Sequence, residues 1–493
     1  MKIKEIKQDK WKNYIGGQWT AVSNKTRDVI NPFTEQKITE ITESNDKDVD
    51  LAVKAARSAF QSWKNTTPSE RAELLLKLAG LIEENKERLA KIESQNAGKT
   101  ISLARLDIGF AIDNIRFYAG ACRTLTAAAA GEYIDSHFLG MSEEKEHKPL
   151  GTSILRREPH GVVAAIVPWN YPFMIACWKL AAVAVGNTII IKPSSNTPLT
   201  TLELAILAEK AGFPKGVINV ITGSGEIIGT LLARHPGIDI ISLTGNTETG
   251  KELSRLAASS LKKVHLELGG KAPFIVFEDA DLEKAARYVI DGSTINSGQD
   301  CTAAARIYVQ EKVYEKFTKL VVEYAKKIVI GDPSNPKTQI GPLISKKQQE
   351  RVASFLKNLW KGEKVVYQSK APKKGYFFPV TIIKDFQQES NLCKLEIFGP
   401  IIPLSSFKTE AEVIEKANIV DYGLASSVWT NNVKRAFRVA NAMRFGEVWI
   451  NDHLPLASEM PHGGLKQSGH GRDLGIQSLE EYTYLKHVYI GLT

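Results

Sequence analysis

Residues 296–306, NSGQDCTAAAR, set one cysteine among small and polar neighbours. A thiol attacks carbon only as thiolate, so Cys301 needs an activating environment to do chemistry. Free cysteine otherwise fills core space. Glu267, in LELGGK, offers a carboxylate base, or else a salt-bridged surface acid. Asn170, in PWNYP, can donate a side-chain N–H to a developing oxyanion, or simply form a turn. Lys192, in IIIKPS, can hold a ribose or phosphate, or be a solvated strand end. Two glycine clusters open helices. One is GSGEIIG at 223–229, with Gly225 and Gly229; the other is TGNTETG at 244–250, with Thr244, Gly245 and Asn246. Free N–H groups at a helix start suit phosphate. The first cluster is one residue longer than the usual dinucleotide fingerprint. A tight turn into a helix demands the same glycines.

The elements that must position these groups follow from the apolar pattern. From about residue 160 strands and helices alternate. GVVAAIVPW, NTIIIKP, GVINVIT, IDIISLTG and KKVHLELGG read as strands. FMIACWKLAAVAV, PLTTLELAILAEKAGF, GEIIGTLLARHP and TETGKELSRLAASS read as the intervening helices. Such alternation implies a parallel sheet covered on both faces. A second series runs from APFIVF through RIYVQ and GLASSVWT to EVWIND, with a boundary near the glycine pair at 269–270. The residues before 125 are mostly helical by pattern. The irregular stretch 126–150 and the C-terminal EYTYLKHVYIGL read as strands outside both cores, where exposed edges invite pairing with another chain.

Bulk properties narrow the field. The 493 residues exceed one ordinary core and suggest about two to three domains. The net charge is +9, but Lys and Arg are dispersed among acids, with no basic block or nucleic-acid motif. No two of the four cysteines stand in C-x-x-C spacing, so neither a disulfide framework nor a metal site is expected, and reduced thiols suit a cytoplasmic protein. The N-terminus lacks an apolar signal region. Pro168, Asn170, Pro172 and Lys179 break the most apolar stretch before it reaches the ~18 residues a membrane span needs.

Taken together, PWNYP, IKPSSNTP, TGNTETG, LELGGK, GQDC and EIFGP, in that order and spacing, resemble the aldehyde dehydrogenase superfamily from NYIGGQW to LEEYTYLKHV. The resemblance implies an α/β fold. Its parts are a Rossmann-type doubly wound NAD(P)-binding domain (1–125 and 151–267), a second α/β catalytic domain (268–470), and a small β oligomerisation segment (126–150 and 471–493) of a homodimer or homotetramer. It makes Cys301 the nucleophile and Glu267 the general base. Asn170 and the Cys301 backbone N–H become the oxyanion hole. It assigns NAD or NADP to Lys192, Ser195, Trp169, Gly225, Gly229, Thr244, Gly245, Asn246 and Leu268, with Glu396 and Phe398 on the nicotinamide ribose and ring. The implied reaction turns an aldehyde into a carboxylic acid through a thiohemiacetal and a thioester. Retention of Glu267 favours water over coenzyme A as the final acceptor.

Two positions depart from the commonest family pattern. Ser195 stands where a ribose-binding Glu is frequent, which removes repulsion against a 2′-phosphate, so some use of NADP is expected. Asn246 stands where Ser is frequent. For the substrate, Tyr171 and Trp178 fall on one face of a predicted helix, and the family places such positions in the aldehyde tunnel, with Asp113 at its mouth and Asp300 beside Cys301. Aromatics with carboxylates suit an ω-amino or trimethylammonium aldehyde. QDCTAA, YGLASSVWT and SEMPHGG look like the γ-aminobutyraldehyde and betaine aldehyde branch. The rivals are a succinate semialdehyde or broad aliphatic aldehyde dehydrogenase and, in a different class, a non-catalytic binding protein on the same scaffold. A cysteine hydrolase would pair its thiol with a histidine, and no histidine falls in the six motifs; His265 lies on the strand face of Glu267.

Overall fold

The structure, a computed structural model, describes residues 10–127, 129–134 and 149–491. Its largest sheet has eight strands. Five are parallel, in the spatial order Lys263–Glu267, Ile240–Thr244, Val162–Ile166, Thr188–Lys192, Ile218–Val220. The chain winds outward from Val162–Ile166, then returns to that strand's other side with Ile240–Thr244. The gap between these two strands is therefore a topological switch point, where such sheets bind ligands beyond their carboxyl ends. Val163 and Ala165 pack into one core, and Val162, Ala164 and Ile166 into another. Burial on both faces explains the continuous apolar runs.

The second sheet has seven strands and is built likewise around Ala272–Val276 and Ala304–Gln310, flanked in parallel by Ala425–Trp429 and Ile401–Phe407, with Glu447–Ile450 beyond Ala425–Trp429. Phe274 and Val276 face one core, and Ile275 faces the other. The N-terminal helices Asp46–Trp63 and Pro68–Glu84 begin with full capping boxes at Asn45 and Thr67, and Ile101–Thr124 is the long helix that carries Asp113.

Several expected boundaries shift. The helix read from FMIACWKLAAVAV is two short ones, Pro172–Trp178 and Ala181–Ala184. Between them the N–H of Leu180 reaches back only to Cys177, and the Lys179 ammonium turns inward to a buried ion pair with Asp473, Nζ–Oδ2 2.6 Å. Residues 151–159, read with the cofactor domain, continue the strand Pro149–Pro159 of a separate three-stranded sheet between Ala129–Ile134 and Thr483–Gly491. Gly469–His470, read with the second domain, instead extends the first sheet beside Lys263–Glu267. Much of the segment 126–150 lies outside the described residues. Among the described residues no helix is long and apolar enough to cross a membrane, and no group of three or more His, Cys, Asp or Glu is placed to hold a metal ion.

Candidate active site

Cys301 follows a turn the backbone adopts at a cost. Asn296, Ser297 and Gly298 all have positive φ (48°, 61° and 72°). Two non-glycine residues there cost on the order of 1–3 kcal/mol each. Side chains hold the strain: Asn296 Nδ2 donates to the Asn170 carbonyl at 2.9 Å, and Ser297 Oγ to the Gly341 carbonyl at 2.8 Å. At Gly298 a β-carbon would sit 2.4 Å from the Gly399 backbone, so only glycine passes. The turn brings Asn170 against the nucleophile's segment, where its Nδ2 donates to the Gln299 carbonyl at 3.2 Å. Cys301 is half-buried, whereas Cys122, Cys177 and Cys393 are buried. Burial first, opposed by the neighbouring His462, then reinforced by Asp300, pushes its thiol up to about 11.

Glu267 ends its strand on the same side. It is buried, and neither carboxylate oxygen has a hydrogen-bond partner among the described residues. Burial lifts its carboxyl well above the usual range, against His462 and Lys179. The glycines that follow are spatial requirements. A β-carbon on Gly270 would lie 2.1 Å from the Cys301 carbonyl, and one on Gly269 2.5 Å from Glu396 Oε2. Glu396 Oε1 accepts the Gly270 N–H at 2.9 Å, and burial raises this carboxyl to about 7. Thus LELGG threads directly between Cys301 and the EIFGP loop. Phe398 in that loop has φ 58° and meets Trp169 edge to face at 5.2 Å.

The remaining expected ligand-binding residues collect at the switch point. Lys192 is buried, which lowers its ammonium to about 8, and Gly225 faces it: a β-carbon there would be 3.7 Å from Nζ. Ser195 Oγ donates to the Gly223 carbonyl at 2.7 Å. Gly229 backs onto Ile166, and Gly250 makes room for Leu268. Thr244 Oγ1 is buried with no partner among the described residues. Gly245 N–H binds the Glu267 carbonyl at 2.9 Å. Asn246 caps the helix Thr247–Ala257, its Oδ1 accepting the Thr249 N–H at 2.8 Å, so that oxygen serves the fold. A buried lysine opposite a glycine and an orphaned buried hydroxyl suit a dinucleotide lying across the strand ends.

The aromatic side also converges. Tyr171 OH donates to Asp300 Oδ2 at 2.6 Å, while Thr302 N–H and Oγ bind Oδ1 at 2.6 and 2.7 Å. Both Asp300 oxygens are therefore engaged within the protein. Trp178 Nε1 donates to Asn114 Oδ1 at 2.7 Å; Asn114 Nδ2 donates to Ser458 Oγ at 2.7 Å, and Ser458 in turn to exposed Asp113. Asp107 instead points inward to a buried ion pair with Lys99, whose Nζ lies 4.1 Å from the Tyr171 ring centre.

The aldehyde dehydrogenase family profile matches residues 19–488. The chain belongs to the aldehyde dehydrogenase family. It is 40% identical over 486 residues to the betaine aldehyde dehydrogenase of Bacillus subtilis, covering 97% of this chain and 96% of that one. It is 41% identical over 498 residues to retinal dehydrogenase 2 of Gallus gallus, covering 99% and 92%. The NAD+ complex of betaine aldehyde dehydrogenase from Staphylococcus aureus superposes with a TM-score of 0.92 at 37% identity, covering 97% of this chain and 94% of that one.

Four side chains of this aldehyde dehydrogenase escaped the sequence reading. His462 stands at Cys301, and His265 does not: the His265 ring binds Ser242 Oγ at 2.9 Å and faces Tyr482. Lys179 and Asp473 form the buried ion pair behind Glu267. Glu43 accepts the Ser224 N–H at 2.5 Å and pairs with Arg27, which sets a carboxylate beside the Lys192 corner. Only SEMPHGG carried a signal, since its histidine directly precedes a glycine pair.

Proposed function

We propose that this chain oxidises an aldehyde bearing an amino or trimethylammonium group, such as 4-aminobutyraldehyde or betaine aldehyde, to its carboxylic acid. The convergence of Cys301, Asn170 and Glu267 carries the reaction. The Cys301 thiolate forms a C–S bond to the carbonyl carbon, and the π pair moves to oxygen. The free Asn170 N–H and the Cys301 backbone N–H hold that oxyanion; one such donor is typically worth ~10²–10³ in rate. NAD or NADP, held by Lys192, Thr244, Glu396 and Phe398 when bound, supplies the hydride acceptor. Glu267 then takes a proton from the water that attacks the thioester, and the C–S bond breaks.

Asp113 supports the cationic end. Its link through Ser458 and Asn114 to the Trp178 ring places a carboxylate and an indole on one hydrogen-bonded chain, a pairing suited to a cation. Asp300, occupied by Tyr171 and Thr302, serves to orient Tyr171. For the cofactor, Ser195 leaves no carboxylate at its own position, while Glu43 supplies one nearby, so NAD is favoured with NADP tolerated. A kinetic panel of 4-aminobutyraldehyde, betaine aldehyde, succinate semialdehyde and hexanal with each cofactor tests this. The expected order of kcat/KM puts a cationic aldehyde first. Preference for succinate semialdehyde refutes the cationic end, and preference for hexanal assigns a broad aliphatic enzyme.

A further inference from the structure

The segment that carries the nucleophile is held by a histidine that the reaction above does not use. His453 belongs to INDHLP, the loop that follows the strand Glu447–Ile450, and its ring is buried. Its Nε2 lies 3.0 Å from the Thr302 carbonyl, and its Nδ1 lies 3.0 Å from Ser427 Oγ. A carbonyl oxygen only accepts, so Nε2 carries a proton. Burial, opposed by the Thr302 carbonyl, Asp300 and Asp452, lowers the imidazole to about 4. The ring is therefore neutral, and Nδ1 accepts from the Ser427 hydroxyl. Neighbouring elements confine it. Trp449 meets the ring at 4.8 Å and Phe274 at 5.5 Å between centres. On the helix Leu282–Thr294, Gly292 makes room: a β-carbon there would stand 2.7 Å from His453 Cδ2. The loop itself is strained, with φ 53° at Asn451 and 81° at Leu454, a region that non-glycine residues enter at a cost. Asn451 is held there by the Thr430 peptide, its Nδ2 donating to the carbonyl and its Oδ1 accepting the N–H, both at 3.0 Å.

We propose that His453 is a positioning residue for the nucleophile: its Nε2–H holds the Thr302 carbonyl and so fixes Cys301, whose thiol and backbone N–H must meet one aldehyde carbonyl. This rests on the reading of Cys301 as the nucleophile and of its N–H as an oxyanion donor. The chain is anchored on both sides of this point. Before Cys301, Asp300 accepts the Tyr171 hydroxyl and the Thr302 N–H, each at 2.6 Å. After Thr302, Ala304 enters the second sheet in register with Ala272. The Thr302 carbonyl falls between these anchors and takes its donor from a segment 151 residues further along the chain. Removing that donor leaves a buried carbonyl short of its partner. The peptide then turns to recover one and carries Cys301 with it. A misplacement of about 1 Å at a reacting group is enough to cost ~10²-fold in rate.

The test compares two variants of the purified full-length protein. In His453→Gln the amide nitrogen reaches about as far from the backbone as Nε2 does, so the donor to Thr302 is kept. In His453→Asn the amide reaches only the Nδ1 position, so Ser427 keeps a partner and Thr302 loses its own. Acylation of Cys301 is followed in the first turnover in two ways. One is cofactor reduction with 4-aminobutyraldehyde and NAD; the other is release of 4-nitrophenolate from 4-nitrophenyl acetate, which needs no cofactor. His453→Asn is expected to slow both ~10–10²-fold and to lower kcat, with the KM for aldehyde, the NAD affinity and the thermal midpoint unchanged. His453→Gln is expected to restore both to near the wild-type rate. Wild-type rates in His453→Asn overturn the proposal. So do equal losses in the two variants, and so does a loss accompanied by a fall in thermal midpoint and NAD affinity, which marks a structural role. If the wild type is acylated by the ester but reduces no cofactor with any aldehyde, the functional reading fails, and the ester rates alone still decide the role of His453.

Discussion

Replacing Glu267 by Gln removes one proton acceptor and almost nothing else. The amide has the size of the carboxyl, and the Gly463 backbone confines either: a β-carbon there would stand 2.6 Å from Glu267 Oε1. A positioned general base contributes typically ~10²–10⁴-fold, about 3–5 kcal/mol of barrier. That loss should fall on thioester hydrolysis alone. Stopped-flow absorbance at 340 nm after mixing enzyme, aldehyde and NAD should therefore show a burst near one reduced cofactor per subunit, followed by a steady state slowed ~10²–10⁴-fold. A slow first turnover, with no burst, would refute the assignment and place Glu267 at thiol activation. The same variant has a stability signature. Burial, opposed by His462, raises the Glu267 carboxyl in the folded state above its unfolded value. The folded chain thus binds that proton more tightly. The stabilisation is complete below the unfolded pKa of about 4.3 and is lost as pH rises toward the folded value. Gln has no such dependence, so the thermal midpoint of the variant should gain on that of the wild type as pH rises above 5.

Other outcomes follow from the same geometry. Cys301→Ala should abolish aldehyde oxidation while leaving dinucleotide affinity intact, measured by titration calorimetry. Asn170→Ala should lower kcat by ~10²–10³ through loss of an oxyanion donor, with little change in thermal midpoint. Lys179→Met leaves Asp473 as an unpaired buried carboxylate and should cost about 3–5 kcal/mol in urea unfolding, with part of the loss recovered in Lys179→Met/Asp473→Asn.

The doubly wound arrangement was legible because strands such as Val162–Ile166 and Thr188–Lys192 are nearly continuous apolar runs and a helix such as Leu199–Ala211 is bounded by Pro198 and Gly212. The six motifs fall at strand ends or turns, where backbone demands are local: Gly298, Gly269 and Gly270 are dictated by close approach, and their spacing to Cys301 and Glu267 is written in the chain. The break at Lys179 was not legible, since an apolar helical pattern gives no sign that one lysine will turn inward to Asp473. Nor was the small sheet's true extent, because alternation marks a strand without naming its partner. Tertiary structure alone decided the surroundings of the thiol. His462 comes beside Glu267 because Gly469–His470 folds back onto the first sheet and the His462–Asp473 bridge fixes the backbone there. Asp300 turns to Tyr171 rather than toward open space. Motif spacing determined which groups could react; burial and packing between distant segments determined the charge each one carries.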